Sequence, residues 1–455
     1  MIQQAALDSL RANLRGGVLA PADTGYDEVR RIHNGMFVRR PALIARCLGT
    51  ADVIDAVRFA RTHDFELAVR GGGHSVAGKS VCEGGLMLDL SLMKGIHVDP
   101  ESRTVRAQGG VTWGEFNRET QLHGLATTGG VVSTTGIAGL TLGGGLGWLM
   151  GKHGLAADNL ISAEVVTAVG DVVRAGAEGD RDLFWGLQGG GGNFGVVSWF
   201  EYRLHPVGPM VTSGLTAHPL ESARDVLRFF REVASSVPDE LTLNAGLLHA
   251  PDGSGVPLAA IIGCHCGSLA EGETAMRPIK RFGSPVVDTI GPASYVDTNT
   301  TIFDPGFPRG ARNYWKSSFL VELSDAVIDA LVAQFALCPS TMSGLVLEHF
   351  HGAATRVGVG ETAFPHRRES FNLLVVAEWL DQRDDEKNIA WARATYDALR
   401  PHMARESYAN YQTEDETEGA REQAFGPNYE RLVALKNKLD PTNLFHLNNN
   451  VRPTM

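Results

Sequence analysis

Three clusters of glycine in the first 205 residues limit what this chain can fold into more than any other feature. The first is Arg70-Gly71-Gly72-Gly73-His74-Ser75, directly after the apolar run Leu67-Ala68-Val69. The second is GGVVSTTGIAGLTLGGGLG at 129–147, and the third is GGGGNFG at 189–195. A backbone without Cβ bends freely and lies close to a ligand. Successive amides in such a turn cradle an anion, and Arg70 adds a fixed positive charge. His74 sets a reactive imidazole in the middle of the first turn. None of the clusters matches the G-x-G-x-x-G strand-to-helix fingerprint, which argues against an ordinary nicotinamide-binding Rossmann domain. Several separate glycine loops suit a large, elongated dinucleotide instead.

Hydrophobic periodicity places elements around these loops. A helix is expected at 4–14, a strand at 41–46, a helix from Thr50 and a strand at 67–69, so that a β-α-β unit delivers the first glycine turn. Strands at 85–90, 104–108 and 196–202 and a hairpin at 162–174 follow. The texture changes at His205-Pro206. From there to about residue 405 the glycine clusters vanish, and strands (211–218, 241–249, 257–266, 319–323, 344–352, 371–379) alternate with helices (221–234, 270–281, 324–335, 388–399). This pattern predicts a sheet backed by helices as a second domain. The expected division is 1–205, 206–404 and a returning tail at 405–455, with a helix at 428–439 that stops before Pro441.

The charge balance excludes some functions. A net charge of −11 leaves no excess of Lys and Arg to neutralise nucleic-acid phosphates. No apolar run is long enough for a signal core or a membrane span, so a cytoplasmic location is expected. Five scattered cysteines fit a reducing compartment without a disulfide framework. Cys264-His265-Cys266 is too closely spaced for the usual zinc pairs, and no metal is expected.

Five segments, VRGGGHSVAG (69–78), TGIAGLTLGGGLG (135–147), GLAADN (154–159), LFWGLQGGGGNFGVV (183–197) and NYERLVALKNKLDPTNLF (428–445), carry a resemblance. Together and in this order they are similar to the flavin-linked oxidases of the vanillyl-alcohol oxidase superfamily, with its PCMH-type FAD-binding domain, in the berberine-bridge-enzyme-like branch. The resemblance implies an α+β, two-domain fold: an FAD domain built from 1–205 and the tail, and a substrate domain whose antiparallel sheet, backed by helices, roofs the flavin. His74 matches the histidine that carries a covalent bond to the flavin, and Arg70 to Ser75 would wrap the pyrophosphate. Val69, Val132, Ser133, Thr135, Gly136, Gly139, Gly143, Gly144, Gly195 and Val196 fall in the matching loops. Asn448 and Asn450, two apart on an extended segment, match tail asparagines near the flavin's pyrimidine edge. One position departs from the family. Many members carry a second link through a cysteine, where this chain has Val132. Valine forms no thioether, so a single histidyl link to FAD is expected.

A flavin oxidase needs a base for a substrate proton. In Leu345-Val346-Leu347-Glu348-His349-Phe350-His351, alternation puts Val346, Glu348 and Phe350 on one face, and Leu347, His349 and His351 on the other. A carboxylate among apolar residues has a raised pKa, which suits a base near neutrality. Glu348 is the first candidate and Tyr411 the second. His349, His351 and Asn372 are candidates for contact with substrate. The expected activity is oxidation of a small organic compound, aromatic, alkaloid or polyketide-like, with dioxygen reduced to hydrogen peroxide. A flavin monooxygenase or oxidative cyclase of natural-product biosynthesis is the alternative enzyme, and a non-catalytic flavin-binding protein the alternative of another class. Substrate and dioxygen are the expected partners of a monomer or homodimer, with no nucleic acid or membrane.

Overall fold

A computed structural model describes residues 4–454; the first three residues of the expected amino-terminal segment lie outside it. The chain forms an α+β fold of two domains. In the first, β1 (Val18–Leu19), β2 (Leu43–Arg46), β3 (Leu67–Arg70) and β4 (Leu86–Asp89) form a sheet of order β1-β2-β4-β3. β2 and β3 both run parallel to β4. The helix Thr50–Thr62 crosses between β2 and β3 and buries Val53, Ala56, Val57 and Ala60 against the sheet. That crossover delivers the glycine turn at the carboxyl end of β3, where ligands of open parallel sheets bind.

A second sheet of the same domain contains β5 (Ile96–Asp99), β6 (Thr104–Gln108), β8 (Leu160–Val166), β9 (Val172–Gly176) and β10 (Val196–Arg203), in the order β5-β6-β10-β8-β9 and antiparallel throughout. β7 (Leu125–Ala126) pairs with β11 (His205–Pro206), where the chain leaves for the second domain. The tail helix Tyr429–Leu439 returns and packs Leu432 and Leu435 into the core of this second sheet. The Lys436 ammonium, fully buried, donates to Asp440 Oδ2 at 2.7 Å, Asn193 O at 2.9 Å and Phe445 O at 2.9 Å. The hydrogen bond to Asn193 O thus ties the tail to the third glycine cluster.

The second domain is an eight-stranded antiparallel sheet. Its strands are β12 (Met210–Pro219), β13 (Leu241–His249), β14 (Pro257–His265), β15 (Val287–Asp288), β16 (Gly291–Ser294), β17 (Arg312–Leu320), β18 (Gly344–Phe350) and β19 (Ser370–Trp379). The order is β15-β12-β14-β13-β18-β19-β17, with β16 also on β12. Helices Ala223–Ala234, Leu269–Arg281, Asp325–Phe335 and Asp385–Leu399 cover one face, where Leu345, Leu347, Leu373, Val375 and Ala377 meet their apolar residues. The other face turns toward the first domain.

Two differences from the sequence expectation concern elements beside the cavity. The strand expected at 319–323 is β17, at Arg312–Leu320, and the chain has left the sheet by the exposed Val321. Polar Asn313 and Ser317 stand on its inner face and hide the apolar alternation. The helix Tyr295–Ile302 has no counterpart in the expected elements; it is capped by Ser294, whose hydroxyl accepts from Asp297 N. Among the described residues, no helix is long and apolar enough to cross a membrane.

Candidate active site

A cavity lies between the inner face of the large sheet and the glycine loops, and all three glycine clusters wall it. Close backbone approach brings them together. A Cβ on Gly72 would lie 2.3 Å from Gly136 N, and one on Gly136 would lie 2.4 Å from Gly72 N. Gly73 has φ +74°, which L side chains rarely adopt. Gly191 N donates to Leu142 O at 2.8 Å, joining the second and third clusters. A Cβ on Gly143 would meet Asn410 Oδ1 at 2.0 Å, so glycine there admits the tail segment Tyr408-Ala409-Asn410-Tyr411 to the wall.

Val69, Gly71, Gly72, Gly73, His74, Ser75, Val132, Thr135, Gly136, Gly139, Gly143, Gly195, Val196 and Asn448 all line this cavity. His74 stacks on His33, ring centroids 3.9 Å apart and planes 22° apart. Its Nε2 lies 2.8 Å from Thr134 Oγ1 and its Nδ1 3.4 Å from Thr135 Oγ1. Burial, helped by the neighbouring His33 ring and the Arg309 charge, holds the His74 pKa well below the usual histidine value, which favours the neutral ring. Among the described residues, no cysteine lines the cavity.

The sheet contributes Glu348, Val346, Leu374 and Trp315, and the segment after the helix Tyr295–Ile302 contributes Phe303 and Phe307. Glu348 is the one carboxylate among the described lining residues. Asn372 Nδ2 donates to its Oε2 at 2.6 Å, and the Tyr411 hydroxyl donates to its Oε1 at 3.1 Å. Burial pushes the Glu348 pKa up to about 7, against the pull of these two donors. Tyr411 is held well above the usual phenol range by burial and by the Glu348 charge beside it. Trp315 meets the Tyr411 ring edge-on at 5.7 Å.

Several expected site residues stand elsewhere. Arg70 is spent on structure: its Nε donates to Asp89 Oδ1 at 2.8 Å and its guanidinium also holds Val29 O and Arg31 O, away from the cavity. Ser133 turns to the second domain, where its N–H and hydroxyl both donate to Asp304. Gly144 makes room for the Phe364 ring, 2.6 Å from where its Cβ would be. Asn450 is outside the lining and Asn449 is in it, because the tail bends here, with Asn448 N donating to His446 O, instead of running extended. His349 and His351 are on the helix-covered face. His351 Nε2 donates to Leu241 O at 3.1 Å, and His349 packs on Phe371 and faces Glu369. The alternation that placed them opposite Glu348 is the one observed, and it takes them out of the cavity. Asn372 is fully buried behind Glu348 and bonded to it, not part of the lining.

Two lining residues carry no sequence motif. Lys79 is the one lysine or arginine among the described lining residues, and its ammonium donates to Asn448 O at 2.5 Å. The Tyr408 oxygen accepts from Gly145 N at 3.0 Å, Leu146 N at 3.3 Å and Asn410 Nδ2 at 2.8 Å. The five-residue spacing from His74 to Lys79 and the Tyr-x-Asn pattern at 408–410 are the only signals the sequence offers.

Residues 41–176 match the family model described as FAD binding domain, and residues 407–452 match the model described as berberine and berberine like. An FAD-linked oxidoreductase of Dictyostelium discoideum is 32% identical over 91% of this chain and 90% of its own length. The (R)-6-hydroxynicotine oxidase of Paenarthrobacter nicotinovorans is 30% identical over 97% of each chain. This chain belongs to the berberine-bridge-enzyme-like family of FAD-linked oxidoreductases. The crystal structure of 6-hydroxy-D-nicotine oxidase from Arthrobacter nicotinovorans superposes with a TM-score of 0.88, at 29% identity, over 96% of this chain and 98% of the other. The cavity of this FAD-linked oxidoreductase fits the cofactor its family implies. Backbone touches backbone at Gly72 and Gly136 where any Cβ would intrude, and the wall holds one cation and a neutral histidine.

Proposed function

We propose that this FAD-dependent oxidase holds its flavin through one covalent bond to His74 and oxidises a small, largely apolar organic substrate, with Glu348 as the base. The observation that carries this reading is the pair Glu348–Tyr411, a buried carboxylate with a pKa near neutrality in the same cavity as a neutral His74. FAD, when bound, supplies a two-electron acceptor for the substrate and passes the electrons to dioxygen, giving hydrogen peroxide. Gly71, Gly72, Gly73 and Gly136 admit the dinucleotide backbone-close, and Lys79 faces it with a positive charge. Glu348 takes a proton from a substrate hydroxyl or amine as the neighbouring C–H bond is oxidised, and Tyr411 orients that carboxylate. Trp315, Phe303, Phe307, Val346 and Leu374 exclude water and favour a flat aromatic, alkaloid or polyketide-like skeleton over a sugar.

The test is anaerobic mixing of the yellow holoprotein with a panel of phenols, alkaloids, alcohols and sugars. An apolar aromatic member of the panel is expected to bleach the flavin, and admission of air to restore it with one equivalent of peroxide. Bleaching by sugars alone would overturn the substrate class. Bleaching by none would favour a flavin carrier without turnover.

A further inference from the structure

Three polar side chains cross three adjacent strands at one level on the inner face of the large sheet. Asn244 of β13 pairs with Glu348 of β18, and Glu348 pairs with Asn372 of β19. Asn244 and Asn372 are 4% and 0% exposed, in a layer otherwise built to be apolar. A buried amide there costs stability unless its polar atoms are satisfied. Asn372 Nδ2 is satisfied by Glu348 Oε2 at 2.6 Å, yet Asn372 Oδ1 has no partner.

The charged groups around Glu348 make this arrangement matter. From the sheet it meets the Asn372 amide, with Asn244 its cross-strand neighbour on the other side. From the tail it meets the Tyr411 hydroxyl and, further off, Tyr408. No lysine, arginine or histidine contributes to the balance on its carboxyl, so only neutral donors hold the ionised form. Ionised, the carboxylate needs donors and has two. Once it has taken a proton, its O–H needs an acceptor, and Tyr411 and Asn372 as placed offer it hydrogens. The terminal amide torsion of asparagine is roughly two-fold. Turning the Asn372 amide over brings its unpartnered Oδ1 to the place of Nδ2.

We infer that Asn372 is a positioning residue that holds Glu348 in both charge states but favours the ion, because its donor bond to the carboxylate is charge-assisted and stronger than the bond its turned amide accepts from the carboxylic acid. It touches neither substrate nor cofactor and acts through Glu348. The inference rests on Glu348 being the base.

The test needs no substrate. The protonated carboxyl of Glu348 is followed by infrared difference spectroscopy of the holoprotein across pH, as the C=O band present in the wild type and absent from Glu348→Gln. The buried Glu378 carboxyl is common to both and cancels. Asn372→Leu removes the donor and is expected to move the midpoint up by about one pH unit or more, a tenfold change in the ionised fraction on the acid side. Asn244→Leu, an equally buried asparagine in the same row without a hydrogen bond to Glu348, is expected to leave the midpoint in place. Asn372→Ser, with a short hydroxyl that cannot reach as the amide does, gives the same upward shift if the leucine variant fails to hold flavin. Equal midpoints in wild type, Asn372→Leu and Asn372→Ser would overturn the inference. The base assignment fails separately, if Glu348→Gln reduces its flavin with the wild-type pH profile.

Discussion

Burial and hydrogen bonding oppose each other at Glu348. Burial favours the neutral acid, while Asn372 and Tyr411 favour the ion, and the outcome is a pKa of about 7. A base with that value is half ionised at neutral pH. The rate of anaerobic flavin reduction by a turnover substrate is therefore predicted to rise between about pH 6 and 8 and to level off above. Glu348→Gln is predicted to slow that step roughly a hundredfold or more and to flatten its pH dependence in rapid-mixing measurements. At Arg70 the same kind of competition has another winner. The fully buried Asp89 claims the guanidinium, so the cation beside the first glycine turn braces residues 29–31 and never reaches the cavity. Nothing local to Arg70-Gly71-Gly72 in the sequence announces an aspartate nineteen residues on.

β19 shows what an element does with polar residues on a buried face. Asn372, Leu374, Val376 and Glu378 share the inner face, and both ends of that row are polar. Asn372 is bonded to Glu348, but both carboxyl oxygens of Glu378 are buried without a partner, and burial pushes its pKa up to about 8. A carboxyl raised in the folded state gives stability that is fully present below its unfolded value, near 4.5, and lost as pH rises through about 8. The wild type is predicted to lose thermal stability across that window, while Glu378→Gln is not. The gap between their unfolding free energies should widen from pH 5 to 9, reaching on the order of a few kcal/mol. A parallel pH dependence in both proteins would contradict this. The period of β18 was legible in the sequence and correct. What it could not supply was which face meets the helices, and so His349 and His351 were grouped with the site they turn away from. β17 was illegible for the opposite reason, since Asn313 and Ser317 put polar atoms where alternation expects apolar ones.

The cavity exists because the two domains are fastened across it. Asn34 of the first domain donates to Asn313 O at 2.8 Å and accepts from Asn313 N at 3.0 Å. Arg367 of the second domain clasps Asp158 through two bonds of 2.7 and 2.8 Å, both side chains nearly fully buried. Asp304 holds the Ser133 loop, beside Val132 in the cavity wall. The motif GLAADN was therefore visible in the sequence, and Asn159 braces the His153 and Leu155 carbonyls locally, while the task of Asp158 as a seam residue depends on Arg367, far along the chain. Residues recognised by their own chemistry, His74 and Glu348, were legible. Lys79 and Tyr408, defined by distant partners, were not, and Asn372 was visible as a candidate but for contact with substrate and not for its bond to Glu348. The central claim is that this jointly built cavity holds flavin by one bond, at His74. The most direct measurement is mass spectrometry of the acid-denatured holoprotein and its peptides. One flavin per chain is expected, confined to the peptide containing His74, with complete release of flavin from His74→Ala. Flavin freed from the wild type by acid, or found on any other peptide, would contradict it.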